Sequence, residues 1–288
     1  MTTATHHRTA EIEGRTVAYR EAGPADAPVV VLLHGFPASS AMFRNLIPQL
    51  ADRYRVIAPD YIGFGHSDAP RAEEFEYTFD HLTDVVEALL TQLDVKTFAM
   101  YVQDYGAPVG WRLYLRNPGR VTAIVSQNGN AYEEGFVDGF WAPLWRWAKD
   151  GNAADEAILR STFTTDLVRW QYTNGVEDPT LVDPDTWTRD VAQINRPGQP
   201  EVQLALYRDY PTNRPLYPVL QQAFRTHPKP LLAIWGEGDE IFGPDGARAF
   251  TKDLPNAHVE LLPGGHFLLE SQLDNVASFI RTFLAENL

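Results

Sequence analysis

The stretch 97–110, Thr-Phe-Ala-Met-Tyr-Val-Gln-Asp-Tyr-Gly-Ala-Pro-Val-Gly, constrains the fold more than any other part of the chain. Its apolar run stops at Gln103-Asp104, small residues follow, and Trp111 to Arg116 reads as helix. That is the pattern of a buried strand turning sharply into a helix. Such a turn exposes its tip residue, and in the nucleophile-elbow arrangement that residue carries the attacking atom while the next backbone N–H helps to hold a developing oxyanion. The tip here is Asp104, and no Gly-x-Ser-x-Gly occurs in the sequence.

The rest of the chain is consistent with an α/β fold built around that strand. Residues Thr9 to Ile12 and Arg15 to Glu21 alternate about Gly14 and predict an opening hairpin. Val29 to Leu33 and Tyr54 to Ala58 are continuous apolar runs, as expected for strands buried on both faces of a mostly parallel sheet. Ala41 to Leu50 has helical spacing, and Phe79 to Leu93 reads as an amphipathic helix. A further strand follows at Val121 to Val125. From 131 to 226 the alternation stops, and short helical segments rich in tryptophan and tyrosine take over. Strands resume at Pro230 to Trp235 and Val259 to Leu262, and Leu273 to Leu288 closes the chain as a helix. This pattern predicts one core domain, 1–130 with 227–288, interrupted by a helical lid over 131–226.

Composition excludes several classes of function. The net charge is -14, which opposes nucleic acid and anionic lipid. The sequence has no cysteine, so thiol nucleophiles, disulfides and thiolate metal sites are absent. No apolar run is long enough to span a bilayer, and the polar start lacks the apolar core of a signal peptide. The expectation is a soluble, cytoplasmic protein, monomeric or homodimeric, with a small apolar substrate. No metal or organic cofactor is implied, because no ligand spacing or phosphate loop occurs.

Three loops at carboxyl ends of strands carry titratable residues: Asp104, the segment Gly236-Glu237-Gly238-Asp239-Glu240, and Gly264-Gly265-His266. In an open α/β sheet those ends converge on one crevice. Singly, each has a structural explanation: Asp104 as a helix cap, Asp239 in a solvated acidic loop, His266 as a loop histidine. Together they give the order nucleophile, acid, histidine. With His-Gly-Phe-Pro at 34–37, Val-Gln-Asp-Tyr-Gly at 102–106, Trp-Gly-Glu-Gly-Asp at 235–239 and Gly-Gly-His-Phe at 264–267, the chain resembles an α/β-hydrolase of the epoxide hydrolase and haloalkane dehalogenase branch. The resemblance implies an α/β-hydrolase fold and a covalent alkyl-enzyme ester on Asp104. It also implies that His266 activates water, that Asp239 orients it, and that the backbone N–H groups of Phe36 and Tyr105 form the oxyanion hole. His34 is expected to brace the oxyanion loop, and His6 and His7 to have no role.

The leaving group divides the two branches. An epoxide oxygen stays on its carbon and needs an O–H donor, which a tyrosine supplies. Resemblance to epoxide hydrolases gives Tyr207, followed by Arg208, and Tyr172 as the lid tyrosines; a place in the lid core is the alternative for both. A departing halide needs N–H donors. Tyr105, Phe36 and Ala38 occupy positions where dehalogenases place an indole or amide, which leaves Trp141, Trp145 or Trp170 to bind halide. The arginine of a fluoroacetate-type site is absent. The reading is therefore epoxide hydrolysis to vicinal diols, with haloalkane dehalogenation as the alternative and a non-catalytic binding protein as a second alternative.

Overall fold

A computed structural model describes residues 4–288. Eight strands form a single sheet in the order β1-β2-β4-β3-β5-β6-β7-β8. They are β1 (His6–Ile12), β2 (Arg15–Ala22), β3 (Val29–Leu33), β4 (Arg55–Pro59), β5 (Phe98–Val102), β6 (Val121–Gln127), β7 (Leu231–Gly236) and β8 (His258–Leu262). The β1–β2 hairpin is antiparallel, as is its junction with β4; the other pairs are parallel. Glu13 and Gly14 both have positive φ, which the two-residue hairpin turn requires. His6 and His7 open β1 and lie within this hairpin.

The runs read as strands from their apolar continuity are buried. All five residues of β5 and all six of β7 are inaccessible to solvent, because helices cover both faces. The helical expectation for Ala41 to Leu50 resolves into a 3-10 turn, Ser40–Phe43, and a short helix α1, Ile47–Leu50. Longer helices α2 (Phe79–Gln92) and α3 (Gly106–Arg116) precede and follow β5. Thr78 caps α2, its side chain accepting from the His81 N–H, and Leu82, Val85, Val86 and Leu89 on its apolar face are buried.

Between β6 and β7 the chain is a helical insertion of α4 (Asp138–Asp150), α5 (Ala153–Ser161), α6 (Thr165–Thr173), α7 (Pro184–Ile194), α8 (Gln199–Asp209) and α9 (Tyr217–Thr226). Helices α10 (Asp245–Ala249), α11 (Leu268–Ser271) and α12 (Leu273–Asn287) complete the core. Among the described residues no helix is long and apolar enough to cross a membrane.

Candidate active site

Asp104 sits where β5 turns into α3. Its φ of 48° lies in the left-handed region, a strained conformation for aspartate that its surroundings must hold in place. Two glycines let the backbones close around it. A Cβ on Gly106 would lie 2.1 Å from the Leu33 carbonyl oxygen, and one on Gly35 would lie 2.2 Å from the Asp104 Cβ. The turn aims the backbone N–H groups of Phe36 and Tyr105 at the same carboxylate oxygen, Oδ1, each at 2.6 Å. The two donors expected to serve an oxyanion thus already hold an anionic oxygen. Burial nevertheless pushes the Asp104 pKa above the usual carboxylate range, opposed by His266 and by these two hydrogen bonds.

His266 follows β8 on a Gly-Gly pair, and Asp239 lies in the loop after β7. The two loops approach closely because a Cβ on Gly236 would lie 2.2 Å from the Gly265 carbonyl oxygen. His266 Nδ1 is 2.9 Å from Asp239 Oδ2, and Nε2 is 3.7 Å from Asp104 Oδ2. Asp239 Oδ2 only accepts, so Nδ1 carries a proton, and in the neutral ring Nε2 is left as the lone pair. Burial draws the His266 pKa down. The charge and hydrogen bond of Asp239, with the charge of Asp104, outweigh burial and leave it above the ordinary histidine value.

Three residues with no predicted role hold this arrangement. Asn128, at φ 48° just after β6, donates from Nδ2 to Asp239 Oδ2 at 2.6 Å. The Gln127 amide donates to Asn128 Oδ1 and to the His266 carbonyl, at 2.7 and 3.0 Å. Gln103 places Nε2 2.8 Å from His266 Nε2. A run such as Gln127-Asn128 ending a buried strand resembles the Gln103-Asp104 junction, and that was the signal available in the sequence. His34 braces the oxyanion loop as expected: Nδ1 donates to the Gly35 carbonyl and Nε2 accepts from the Tyr61 N–H. Burial pushes its pKa down to about 4, so it stays neutral.

Aromatic rings close the crevice from the insertion side. Tyr207 packs on Phe36 and Phe163, at 5.8 and 5.9 Å between ring centroids. Its helix is pinned by the Arg208 guanidinium lying 4.3 Å over the Trp147 ring. The Tyr207 hydroxyl is 2.8 Å from Thr162 Oγ1, and Thr162 donates its own proton to the Leu159 carbonyl. Tyr207 is therefore the donor of that pair. Burial pushes its pKa well above the ordinary value, and the charge on Asp104 adds to this.

Tyr172 is not brought to Asp104. Its hydroxyl donates to the buried Asp190 of α7, and its ring stacks at 3.9 Å on Phe267. The spacing along α6 turns its side chain toward α7 and α11, so the expected pairing of Tyr172 with Tyr207 does not form. Tyr210 lies where a second phenol was sought. It packs on Tyr105 at 5.9 Å and on Trp141 at 4.5 Å, and it also feels the Asp104 charge. Of the tryptophans considered for halide, Trp141 gives its N–H to the Ile241 carbonyl at 2.8 Å. The Trp145 ring lies under the Arg214 guanidinium at 4.8 Å. Trp170 lines an apolar cavity of about 440 Å³ in the insertion, with Phe140, Leu144, Leu159 and Tyr207. Among the described residues no three histidine or carboxylate side chains converge as a metal site.

A family profile for the alpha/beta hydrolase fold matches residues 28–272. An uncharacterized hydrolase of Saccharomyces cerevisiae is 44% identical over 287 residues, covering 99% of this chain and 98% of that protein. A haloalkane dehalogenase of Mycolicibacterium paratuberculosis is 30% identical over 276 residues, 91% of this chain and 85% of that protein. The crystal structure of an epoxide hydrolase from Vigna radiata superimposes with a TM-score of 0.75 over 98% of each chain, at 24% identity.

Proposed function

The chain belongs to the α/β-hydrolase fold family and is a hydrolase, and we propose that it opens small apolar epoxides to vicinal diols through an ester on Asp104. The observation that carries this reading is the division of labour within one carboxylate. Oδ1 is held by two N–H donors, whereas Oδ2 faces His266 and carries no such bond. Oδ2 is thus the attacking atom and Oδ1 the future ester carbonyl oxygen.

In the first half-reaction Oδ2 forms a bond to an epoxide carbon as the ring C–O bond breaks, and the alkoxide takes a proton from a phenol. Tyr207 supplies it by turning its hydroxyl away from Thr162. In the second, a water gives its proton to His266 Nε2 as its oxygen bonds to the Asp104 carbonyl carbon. The negative charge that develops on Oδ1 meets the N–H donors of Phe36 and Tyr105, already in place. On collapse the ester C–O bond breaks and the proton of the added hydroxyl passes to the leaving alkoxide, giving the diol and the carboxylate, and the proton on His266 returns to the phenolate. Esterification also removes the Asp104 charge that helped to raise the His266 pKa, so the histidine is more readily neutral in the step where it acts as base.

Phenols near Asp104 favour the epoxide, since Trp141, packed on Tyr210, already gives its N–H to the Ile241 carbonyl. The ionisations of Tyr61, Tyr105, Tyr207 and Tyr210 all feel its charge. The buried hydroxyls of Tyr61 and Tyr105 have no hydrogen-bond partner. The apolar cavity beside Tyr207 suits the alkyl or aryl arm of the substrate, with the insertion acting as its lid. Haloalkane dehalogenation is the second reading, favoured by the relative of that name at 30% identity. Hydrolysis of styrene oxide and 1-bromobutane by wild type and Asp104→Ala decides between them. Diol formation lost in the variant supports the proposal; bromide release alone transfers it to the dehalogenase. Mass spectrometry of His266→Gln with a turned-over substrate should find the ester on Asp104, and an unmodified Asp104 would refute the covalent route.

A further inference from the structure

Gln103 immediately precedes Asp104 and is wholly buried. Its backbone is fixed: its N–H donates to the Leu33 carbonyl at 3.1 Å, and its carbonyl accepts from the Gly106 N–H at 2.7 Å. Its side chain meets the one edge of the His266 ring that Asp239 leaves open. While the ring is neutral with its proton on Nδ1, Nε2 is a lone pair, and only the N–H end of an amide can bond to it. The N–H end lies there, at 2.8 Å. The opposite end, Oε1, is buried with no partner. It points to Gly35, where a Cβ would lie 2.6 Å away and leave it no room. A buried carbonyl without a donor is costly, and native interiors seldom retain one without a use.

We infer that Gln103 is a two-state positioning residue: its amide donates to neutral His266 at Nε2, gives up that lone pair to the hydrolytic water and, turned end for end, accepts from the imidazolium N–H once the water's proton has been transferred. The two ends of an amide are nearly the same shape, so the turn needs donor and acceptor to exchange and little else to move. The groups facing the ring make the second state necessary. Asp239 holds Nδ1 throughout. Asp104 Oδ2, the anionic neighbour of Nε2, becomes a weakly accepting ester oxygen in the intermediate. The rings of Phe242 and Phe267, which flank the imidazole at 6.0 and 5.1 Å, offer no acceptor. Gln103 Oε1 is then the acceptor at hand. This rests on the two-step reading above, in which His266 is the base of the second half-reaction.

The test uses Gln103→Met, which keeps the length without donor or acceptor, and Gln103→Glu, which only accepts. In the resting protein, ¹⁵N spectra of the His266 ring across pH need no substrate. The Nε2 resonance should move in the Met variant, and the titration midpoint should rise by about one unit or more in the Glu variant. Unchanged resonances and midpoints in both would overturn the contact. Rapid-quench measurement with styrene oxide then separates the half-reactions. Ester hydrolysis in Gln103→Met should slow roughly ten- to a hundred-fold while ester formation holds within about two-fold. In Gln103→Glu the hydrolytic rate should recover at higher pH. Equal slowing of both half-reactions would reduce Gln103 to a packing role. If His266→Gln never accumulates an ester, the two-step reading fails, and the spectra still judge the contact by themselves.

Discussion

The sheet ends and the helical insertion solve the same problem, burying polar side chains, in opposite ways. Around His266 most polar atoms are answered, Gln103 Oε1 and, near Asp104, the Tyr61 and Tyr105 hydroxyls excepted. Asp239 receives His266 and Asn128 on Oδ2 and the Ile241 N–H on Oδ1, and Gln127 ties the histidine backbone to Asn128. In the insertion, buried polar atoms of Gln171, Gln199 and Gln203 have no partner. The packing there is done by rings, as in the stack of Trp141 on Trp145 and of both against Tyr210. A satisfied network fixes one geometry, whereas ring packing tolerates several. The candidate reacting groups are therefore rooted in the sheet, and under the proposed function the insertion would cover the substrate.

The largest expected effect lies at the sheet. Asp104→Ala removes the proposed nucleophile and should lower kcat by about 10⁴-fold or more with any substrate that wild type turns over. Residual turnover above that level would break the assignment of chemistry to this loop. Next comes Tyr207→Phe, which should cost roughly 10²-fold in kcat/KM for an epoxide and little for a bromoalkane, whose leaving group takes no proton. Equal losses on both would show Tyr207 to be a packing residue like its neighbours.

Tyr172→Phe sharpens the contrast from the other side. Loss of the bond to buried Asp190 should destabilise the fold by about 1–3 kcal/mol, read as a lower Tm, with the chemical rate little changed. The smallest effect concerns Asp190 itself, whose pKa burial raises to about 6. A carboxyl whose folded pKa lies above its unfolded value contributes stability at low pH that is lost as pH rises through the folded value. Tm should therefore fall between about pH 4 and 6 more in wild type than in Asp190→Asn. A wider fall in the variant would contradict the burial of that charge.

The reaction's own pH dependence follows the same signs. Ester formation needs ionised Asp104, so kcat/KM should decline at an acid limb above the usual carboxylate range. A limb at the ordinary aspartate value would mean that the site is wetter than the structure shows.

What the sequence by itself determined is the sheet and the titratable residues gathered at its ends. Runs such as Val29–Leu33 and Phe98–Val102 announce buried parallel strands because burial on both faces demands unbroken apolar sequence. Gly-Gly-His and the Gln-Asp-Tyr-Gly turn announce their loops because only small residues allow such close backbone approach. Asp104, Asp239 and His266 were legible for that reason, and the structure brings all three into one crevice. Only the tertiary structure decided the rest. Tyr172, Tyr207 and Tyr210 are chemically identical and all lie in helical segments, and nothing local says which phenol faces the carboxylate. That choice was made by how α6, α7 and α8 pack, which sent Tyr172 to Asp190 and brought Tyr207 and Tyr210 toward Asp104. The partners of Gln103 and Asn128 were hidden in the same way. A side-chain hydrogen bond between distant loops leaves no period in the sequence, and it exists only once the strands that carry the loops are side by side.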